Sequence, residues 1–194
     1  MKRLIPAAAV LLLLAGCAPA DPLATQYESG TNQGYISGDG SLTVIAEADR
    51  EAAVEFEGTT DTGDLVSSDD YAGEVLVINF WYAACPPCRE EAPDLEKLYQ
   101  QFGGEGATFL GANVRDQAET AHSFAIEWGV TYPSVIDAND GNMLYAFAGT
   151  VAPNAVPTTL VIDKKGRVAA RFLGLVEEPS ILEAIITDTI AEAD

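Results

Sequence analysis

The sequence predicts one α/β domain in which helices cover the faces of a mixed central sheet. Strand and helix signals alternate along the chain from about residue 54, and the last two strand signals follow each other directly. The resulting order, β-α-β-α-β-α-β-β-α, requires a mixed sheet with helices on its faces. The segment has roughly 140 residues, which is enough for a core of its own.

The domain begins with a predicted hairpin, which is followed by a helical turn and a buried strand. Residues 54–56 and 64–66 flank the turn-rich segment GTTDTG, as the two strands of a hairpin would. Residues 67–71 predict a short capped helical turn. Residues 75–81, VLVINFW, are apolar except for Asn79, which is typical of a strand buried on both faces.

A long helix is predicted directly after this strand. It begins at Pro86 and Pro87, because proline is tolerated in a first turn, where backbone N–H groups have no helical partner. Gly103 and Gly104 end it. The side chains predicted to form its apolar face are Leu95, Leu98, Tyr99 and Phe102.

Four more strands and three more helices complete the predicted domain. The strands are 108–114, 134–136, 158–162 and 167–172, and the helices are 117–128, 139–147 and 179–191. The last two strands are joined by DKKG, a polar loop with a glycine that favours a hairpin. The helical side chains expected to be buried are Ala121, Phe124, Ala125, Trp128, Met143, Leu144, Phe147, Ile181, Leu182, Ile185, Ile186 and Ile190.

Residues 1–16 have the pattern of a secretory signal peptide. A basic start, MKR, precedes twelve mostly apolar residues, which are too few to span a bilayer as a stable helix. The stretch ends in LAGC, which resembles the bacterial lipobox, so Cys17 is expected to carry lipid and to anchor the chain. A signal cleaved elsewhere would leave Cys17 as an ordinary thiol.

Residues 17–50 are expected to be the lipidated N-terminus and a flexible tether, and residues 51–194 the folded domain. The tether is rich in Gly, Ser, Thr, Asn, Asp and Gln, a composition that favours disorder. A short hairpin through residues 35–36 and 42–45 is the alternative interpretation of this segment.

The chain is strongly acidic, with 30 Asp and Glu residues against 10 Lys and Arg and a formal net charge of -20. Such a surface repels phosphate backbones and anionic lipid headgroups, so nucleic acid is excluded as a partner class and a soluble monomer is expected. His122 is the only histidine and is expected to face solvent on a helix. We therefore expect no metal site and no cofactor.

Cys85 and Cys88 form a Cys-Pro-Pro-Cys segment at a predicted helix start. The helix dipole and the free N–H groups there stabilise a thiolate, so Cys85 should ionise more readily than a free cysteine. Cys88 lies one turn further in, where it can attack a mixed disulfide formed by Cys85. A bridge across two residues constrains the unfolded chain little, and two thiols are too few for a zinc site. An inert disulfide and a peroxidase with one attacking cysteine are the alternatives.

Three segments, NFW…CPPCREEAPDLEKL, TYPSVIDANDG and VPTTLVIDKKGRV, together resemble thioredoxin-fold proteins of the TlpA, ResA and CcmG type. The resemblance covers about residues 54–191. It implies a thioredoxin fold with an N-terminal hairpin and a central helix-strand insertion at residues 117–147. It also implies a thiol-disulfide oxidoreductase that is anchored at the extracytoplasmic face of the bacterial cell membrane.

The resemblance also implies roles for individual residues. Cys85 matches a solvent-facing nucleophile, Cys88 the resolving thiol, and Glu91 an acidic residue that influences thiol ionisation. From the residues alone, Glu91 is equally a solvated carboxylate near a helix N-terminus. Pro157 matches a cis-proline whose preceding residue, Val156, offers backbone hydrogen bonds to a bound client. The expected client-binding residues are Trp81, Ala84, Pro86, Val156 and Pro157.

The implied function is that of a reductant in cytochrome c maturation. It would act on apocytochrome c or similar exported dithiols, with electrons from a transmembrane donor. An oxidant that introduces disulfides into exported proteins is the main alternative; a thiol peroxidase and a non-catalytic binding lipoprotein are the others. One departure from the relatives concerns specificity: many carry tryptophan where this chain has Ala84, and its absence should open the rim around Cys85.

Overall fold

The structure, a computed structural model, describes residues 41–151 and 155–193. The strands in this part of the chain are β1 (Ser41–Val44), β2 (Glu57–Thr59), β3 (Leu65–Ser67), β4 (Val75–Trp81), β5 (Ala107–Asn113), β6 (Ser134–Ile136), β7 (Thr158–Ile162) and β8 (Val168–Leu173). The α-helices are α1 (Pro86–Phe102), α2 (Ala118–Trp128), α3 (Asn142–Ala146) and α4 (Pro179–Ala191). Short 3₁₀ helices lie at Glu47–Asp49 and Ser68–Tyr71.

A six-stranded mixed sheet with the order β1-β8-β7-β4-β5-β6 forms the centre of the domain, and β2 and β3 pair as a separate hairpin. Strands β4, β5 and β6 are parallel, whereas β1, β8, β7 and β4 pair antiparallel. Strand β4 is central and all of its residues are buried. The predicted mixed sheet, with helices on its faces and an N-terminal hairpin, is confirmed.

Alternate residues of β4 point into two different cores, because successive side chains of a strand face opposite sides of the sheet. Val77 packs in a cluster with Leu95 of α1 and Leu182 of α4. Ile78 packs in a second cluster with Met143 of α3. Helices α1 and α4 therefore cover one face of the sheet, and α3 covers the other.

The expected boundary between tether and domain is wrong, because the last ten residues of the proposed tether are folded. Ser41–Val44 forms β1, which pairs antiparallel with β8 at the edge of the sheet. This strand is also the second arm of the alternative hairpin, whose first arm lies outside the described residues. The signal peptide, Cys17 and the rest of the tether lie outside them as well.

Arg50 fixes this N-terminal segment to two distant parts of the domain. Its side chain is 4% exposed, and its Nη1 contacts Asp163 at 2.8 Å and Glu192 at 2.6 Å. Its Nη2 donates to the second carboxylate oxygen of Glu192 at 2.6 Å. The segment before residue 51 is thus joined both to the turn between β7 and β8 and to the end of α4.

Most of the remaining predicted elements are close to those observed, but the first arm of the N-terminal hairpin, predicted at residues 54–56, lies at Glu57–Thr59, largely inside the segment predicted as its turn. Strands β4, β6 and β7 and helix α4 have the predicted bounds, whereas α3 is shorter than the predicted helix 139–147. One burial prediction is wrong: Ile181 is 43% exposed, because α4 turns Leu182 and Ile186 towards the core. No helix in the described part of the chain has the length and apolarity to cross a membrane.

Candidate active site

The two cysteines lie where β4 gives way to α1. Cys85 is the N-cap of the helix, and Pro86 and Pro87 form its first turn, as predicted. The cysteines are joined by a disulfide with an S–S distance of 2.12 Å and a Cα–Cα distance of 5.3 Å. The Sγ of Cys85 also accepts a hydrogen bond from the backbone N–H of Cys88 at 3.2 Å. The helix start therefore offers both its dipole and an N–H group to the sulfur of Cys85.

The expectation that Cys85 faces solvent is wrong for this disulfide form. Cys85 is 0% exposed and Cys88 is 2% exposed. Both pack in an apolar cluster that includes Tyr82 and Val156. A partner sulfur can therefore reach Cys85 only after covering groups move.

The expected client-binding residues divide into exposed and buried ones. Ala84 and Pro86 are exposed on either side of Cys85 and form the rim of the site. Val156 and Pro157 are buried, and the peptide bond between them is cis, as the resemblance implies. Val156 shares its apolar cluster with both cysteines, so the structure brings it to the disulfide.

Trp81 does not lie where a client could contact it, so its expected place in the client-binding surface is wrong. It is 6% exposed, and its ring packs against Phe124 of α2 with 4.4 Å between centroids. Its Nε1 donates to the hydroxyl of Ser134 at 2.7 Å. Trp81 thus stabilises the inner wall of the site, because both its apolar ring and its N–H group have partners there.

Glu91 is buried, so its interpretation as a solvated carboxylate is wrong. It is 1% exposed, and its carboxylate accepts hydrogen bonds from Asn79 Nδ2 at 2.8 Å and from the backbone N–H of Val176 at 3.1 Å. Burial raises the pKa of Glu91 to about 8, although these two hydrogen bonds lower it. A carboxyl group that is mostly protonated near neutral pH therefore lies one helical turn beyond Cys88.

Asn79, which donates to Glu91, and Cys88 line the same small cavity. It has a volume of about 20 Å³ and is lined by Cys88 and Asn79, among others. That volume is enough for about one water molecule. Asn79 also donates to Thr159 Oγ1 at 3.0 Å, so its amide is held in place between Glu91 and the cavity.

The loop before Cys85 is held by Asp116 and Arg89, two residues that the sequence pattern did not indicate. Asp116, which follows β5, accepts a hydrogen bond from the backbone N–H of Ala83 at 2.6 Å. Arg89 Nε donates to the backbone carbonyl of Ala83 at 2.7 Å. No sequence signal marked either side chain, whereas Asn79 could have been found as the one polar residue in a strand of apolar ones.

His122 lies on α2, and 61% of its side chain is exposed, so the prediction of a solvent-facing histidine is confirmed. Its Nδ1 lies 4.0 Å from a carboxylate oxygen of Asp61. Among the described residues, no group of three or more His, Cys, Asp and Glu side chains could hold a metal ion.

Comparison with known proteins identifies the family. A model of the AhpC/TSA family matches residues 50–171. The chain belongs to the AhpC/TSA family. The thiol-disulfide oxidoreductase ResA of Geobacillus thermodenitrificans is 36% identical over 148 residues, which are 72% of this chain and 82% of the relative. The thiol:disulfide interchange protein HelX of Rhodobacter capsulatus is 31% identical over 176 residues, 90% of each chain.

A solved structure supports the same conclusion as these two relatives. A secreted thiol-disulfide isomerase from Corynebacterium glutamicum has a TM-score of 0.72 and 30% sequence identity, with 81% of this chain and 96% of that one covered. The predicted thioredoxin fold and the resemblance to TlpA, ResA and CcmG proteins are thereby confirmed. This AhpC/TSA family member is a thiol-disulfide oxidoreductase.

Proposed function

We propose that the chain is a lipid-anchored reductant that exchanges its Cys85–Cys88 disulfide with exported client proteins. The observation that carries the proposal is the placement of both cysteines at the start of α1, next to a buried carboxyl group. The helix start stabilises the attacking thiolate, and the second cysteine provides an intramolecular way to release the client.

The exchange has two steps. In the reduced enzyme, the Cys85 thiolate attacks one sulfur of a client disulfide, so that a Cys85–client bond forms and the other client sulfur leaves as a thiolate. The Cys88 thiolate then attacks Cys85 Sγ, which forms the enzyme disulfide and releases the second client sulfur. The client gains two electrons and the enzyme loses two, which a transmembrane donor returns.

Glu91 would assist the second step. Glu91 accepts a hydrogen bond from Asn79, and Asn79 and Cys88 line the same small cavity. With a pKa of about 8, the carboxyl group exchanges protons near neutral pH, where the Cys88 thiol must lose one. We assign Glu91 the role of influencing the ionisation of Cys88.

The position outside the cytoplasm is supported by residues 1–17. A signal peptide that ends in LAGC would export the chain and leave Cys17 as its lipid anchor. The solved relative from Corynebacterium glutamicum is described as secreted. We propose exported proteins whose paired cysteines have formed a disulfide as clients, apocytochrome c among them, and a monomer as the functional unit.

The reduction potential of the Cys85–Cys88 pair tests the direction of exchange. The purified protein is equilibrated in glutathione buffers and its thiol content is measured. A reductant should have a potential closer to about -270 mV, as thioredoxin has, than to about -120 mV, as a strong oxidant has. A value near the oxidising end would overturn the proposed direction and favour the oxidant that introduces disulfides.

A further inference from the structure

The peptide unit of Ala83, two residues before Cys85, is held from two sides by charged side chains. On one side, the carboxylate of Asp116 accepts a hydrogen bond from its N–H at 2.6 Å. On the other side, Nε of Arg89 donates to its carbonyl at 2.7 Å. We call Asp116 and Arg89 together the Ala83 bracket.

The Asp116 side of the bracket is itself fixed by the end of β5. Asn113, the last residue of β5, is 0% exposed, and its Nδ2 donates to Asp116 Oδ2 at 3.0 Å. Its Oδ1 accepts from the backbone N–H of Asp116 at 2.7 Å. The buried amide of Asn113 thus orients the carboxylate of Asp116 towards the N–H group of Ala83. Strands β4 and β5 are parallel and end side by side, with Trp81 paired to Asn113. Asp116, which follows β5, therefore lies close to Ala83, which follows β4.

The Arg89 side of the bracket comes from the helix that carries the cysteines. Arg89 is one turn into α1, and its backbone N–H donates to the carbonyl of Cys85 at 3.2 Å. Its side chain turns back to the loop that precedes the helix. Because the N–H of Cys85 donates to the carbonyl of Tyr82 at 3.1 Å, Ala83 lies inside a turn that leads directly to Cys85.

We infer that Asp116 and Arg89 are positioning residues for the exchange reaction. By holding the Ala83 peptide unit between β5 and α1, they fix the turn from Tyr82 to Cys85 and therefore the place of the attacking sulfur. The inference rests on the proposed exchange by Cys85 and Cys88, and it adds two residues to that site. Displacement of a reacting group by about 1 Å can slow a reaction by up to about 100-fold.

The rate of disulfide exchange in bracket variants tests this inference. The reduced full chain is mixed with oxidised glutathione, and the second-order rate constant for oxidation of Cys85 and Cys88 is measured. Asp116→Ala should slow the reaction about tenfold and Arg89→Ala about fivefold, because each change releases one side of the same peptide unit. Asp116→Asn keeps an oxygen acceptor and should stay within about twofold of the wild type.

The double variant distinguishes positioning from two unrelated losses. Since both side chains hold one peptide unit, Asp116→Ala combined with Arg89→Ala should be slowed about tenfold, not by the roughly fiftyfold product of the separate effects. Asp94→Ala and Lys97→Ala, at exposed positions of α1, are the matched controls for loss of charge and should react like the wild type. Circular dichroism and thermal melting show whether each variant is folded.

Each outcome decides between the alternatives. Unchanged rates in folded Asp116→Ala and Arg89→Ala variants, or effects that multiply in the double variant, would overturn the bracket while the exchange function stands. Failure of Asp116→Asn to restore the rate would mean that Asp116 acts by its charge, which also contradicts the bracket. A folded wild-type protein that does not react at all would overturn the exchange function and the bracket together.

Discussion

Glu91 is a carboxyl group buried between β4 and α1, with hydrogen bonds from the neutral donors Asn79 and Val176. Burial is the larger effect on its pKa, and it raises that pKa from 4.5 to about 8. Burying a carboxyl group that has no cation among these hydrogen-bond partners destabilises the folded protein. A role in the reaction therefore explains the position of Glu91 better than a role in folding does. We therefore interpret Glu91 as part of the site and not of the scaffold.

The stability of the folded protein should fall as the pH rises from about 5 to about 8. In this interval the Glu91 carboxyl is ionised in the unfolded chain but still protonated in the folded one, so folding binds an extra proton. Each pH unit then lowers the free energy of unfolding by up to about 1.4 kcal/mol, and the effect levels off above the folded pKa. Urea unfolding at several pH values measures it.

The variant Glu91→Gln isolates this effect, because its amide does not titrate. Its free energy of unfolding should change less with pH over the same interval than that of the wild type. Glu90→Gln, at an exposed neighbouring position, is the control and should keep the wild-type pH dependence. If Glu91→Gln and the wild type show equal slopes, Glu91 is not the group responsible.

Among the elements, β1 is the one that the main interpretation of the sequence placed in a flexible tether, and only the alternative hairpin anticipated it. Its four residues, SLTV, follow a polar, glycine-rich segment, and their partner strand β8 lies far along the chain. A strand this short carries too little pattern of its own, since its stability comes from pairing with β8 and from Arg50 behind it. By contrast, β4, β7 and α4 were predicted with their observed bounds, because long apolar runs and helix-start prolines are local signals.

Removal of β1 and Arg50 should destabilise the domain. A chain that begins at residue 51 should be about 3–5 kcal/mol less stable than one that begins at residue 41, because Glu192 and the buried Asp163 lose a cationic partner and the sheet loses an edge strand. Guanidinium unfolding measures the difference. Arg50→Met in the longer chain separates the two causes, because it removes the ion pairs and keeps the strand.

Equal stability of the two chains would contradict this assignment of the domain boundary. It would mean that residues 41–50 do not contribute to the stability of the domain, as expected if they belong to the tether.

At the scale of the whole molecule, the site is assembled from parts that the sequence separates. The cysteines come from the junction of β4 and α1, Val156 from the segment before β7, and Asp116 from the end of β5. The alternation of strands and helices was enough to predict the sheet, and the Cys-Pro-Pro-Cys segment, together with the resemblance to TlpA, ResA and CcmG proteins, predicted the chemistry. Burial of Cys85 and the contact of Asp116 with Ala83 depend on three-dimensional packing, which no local pattern encodes.

The central claim concerns the order in which the two cysteines act. If Cys85 attacks and Cys88 resolves, then Cys88→Ser should leave the client attached to Cys85, because the second step has no nucleophile. The variant is produced as the full chain in cells, free thiols are blocked, and adducts are separated on non-reducing gels.

We expect Cys88→Ser to give disulfide-linked adducts that a reductant cleaves. The double variant with Cys85→Ser and Cys88→Ser should give none. Absence of adducts from a folded, exported Cys88→Ser protein, or equal adducts from the double variant, would contradict the account.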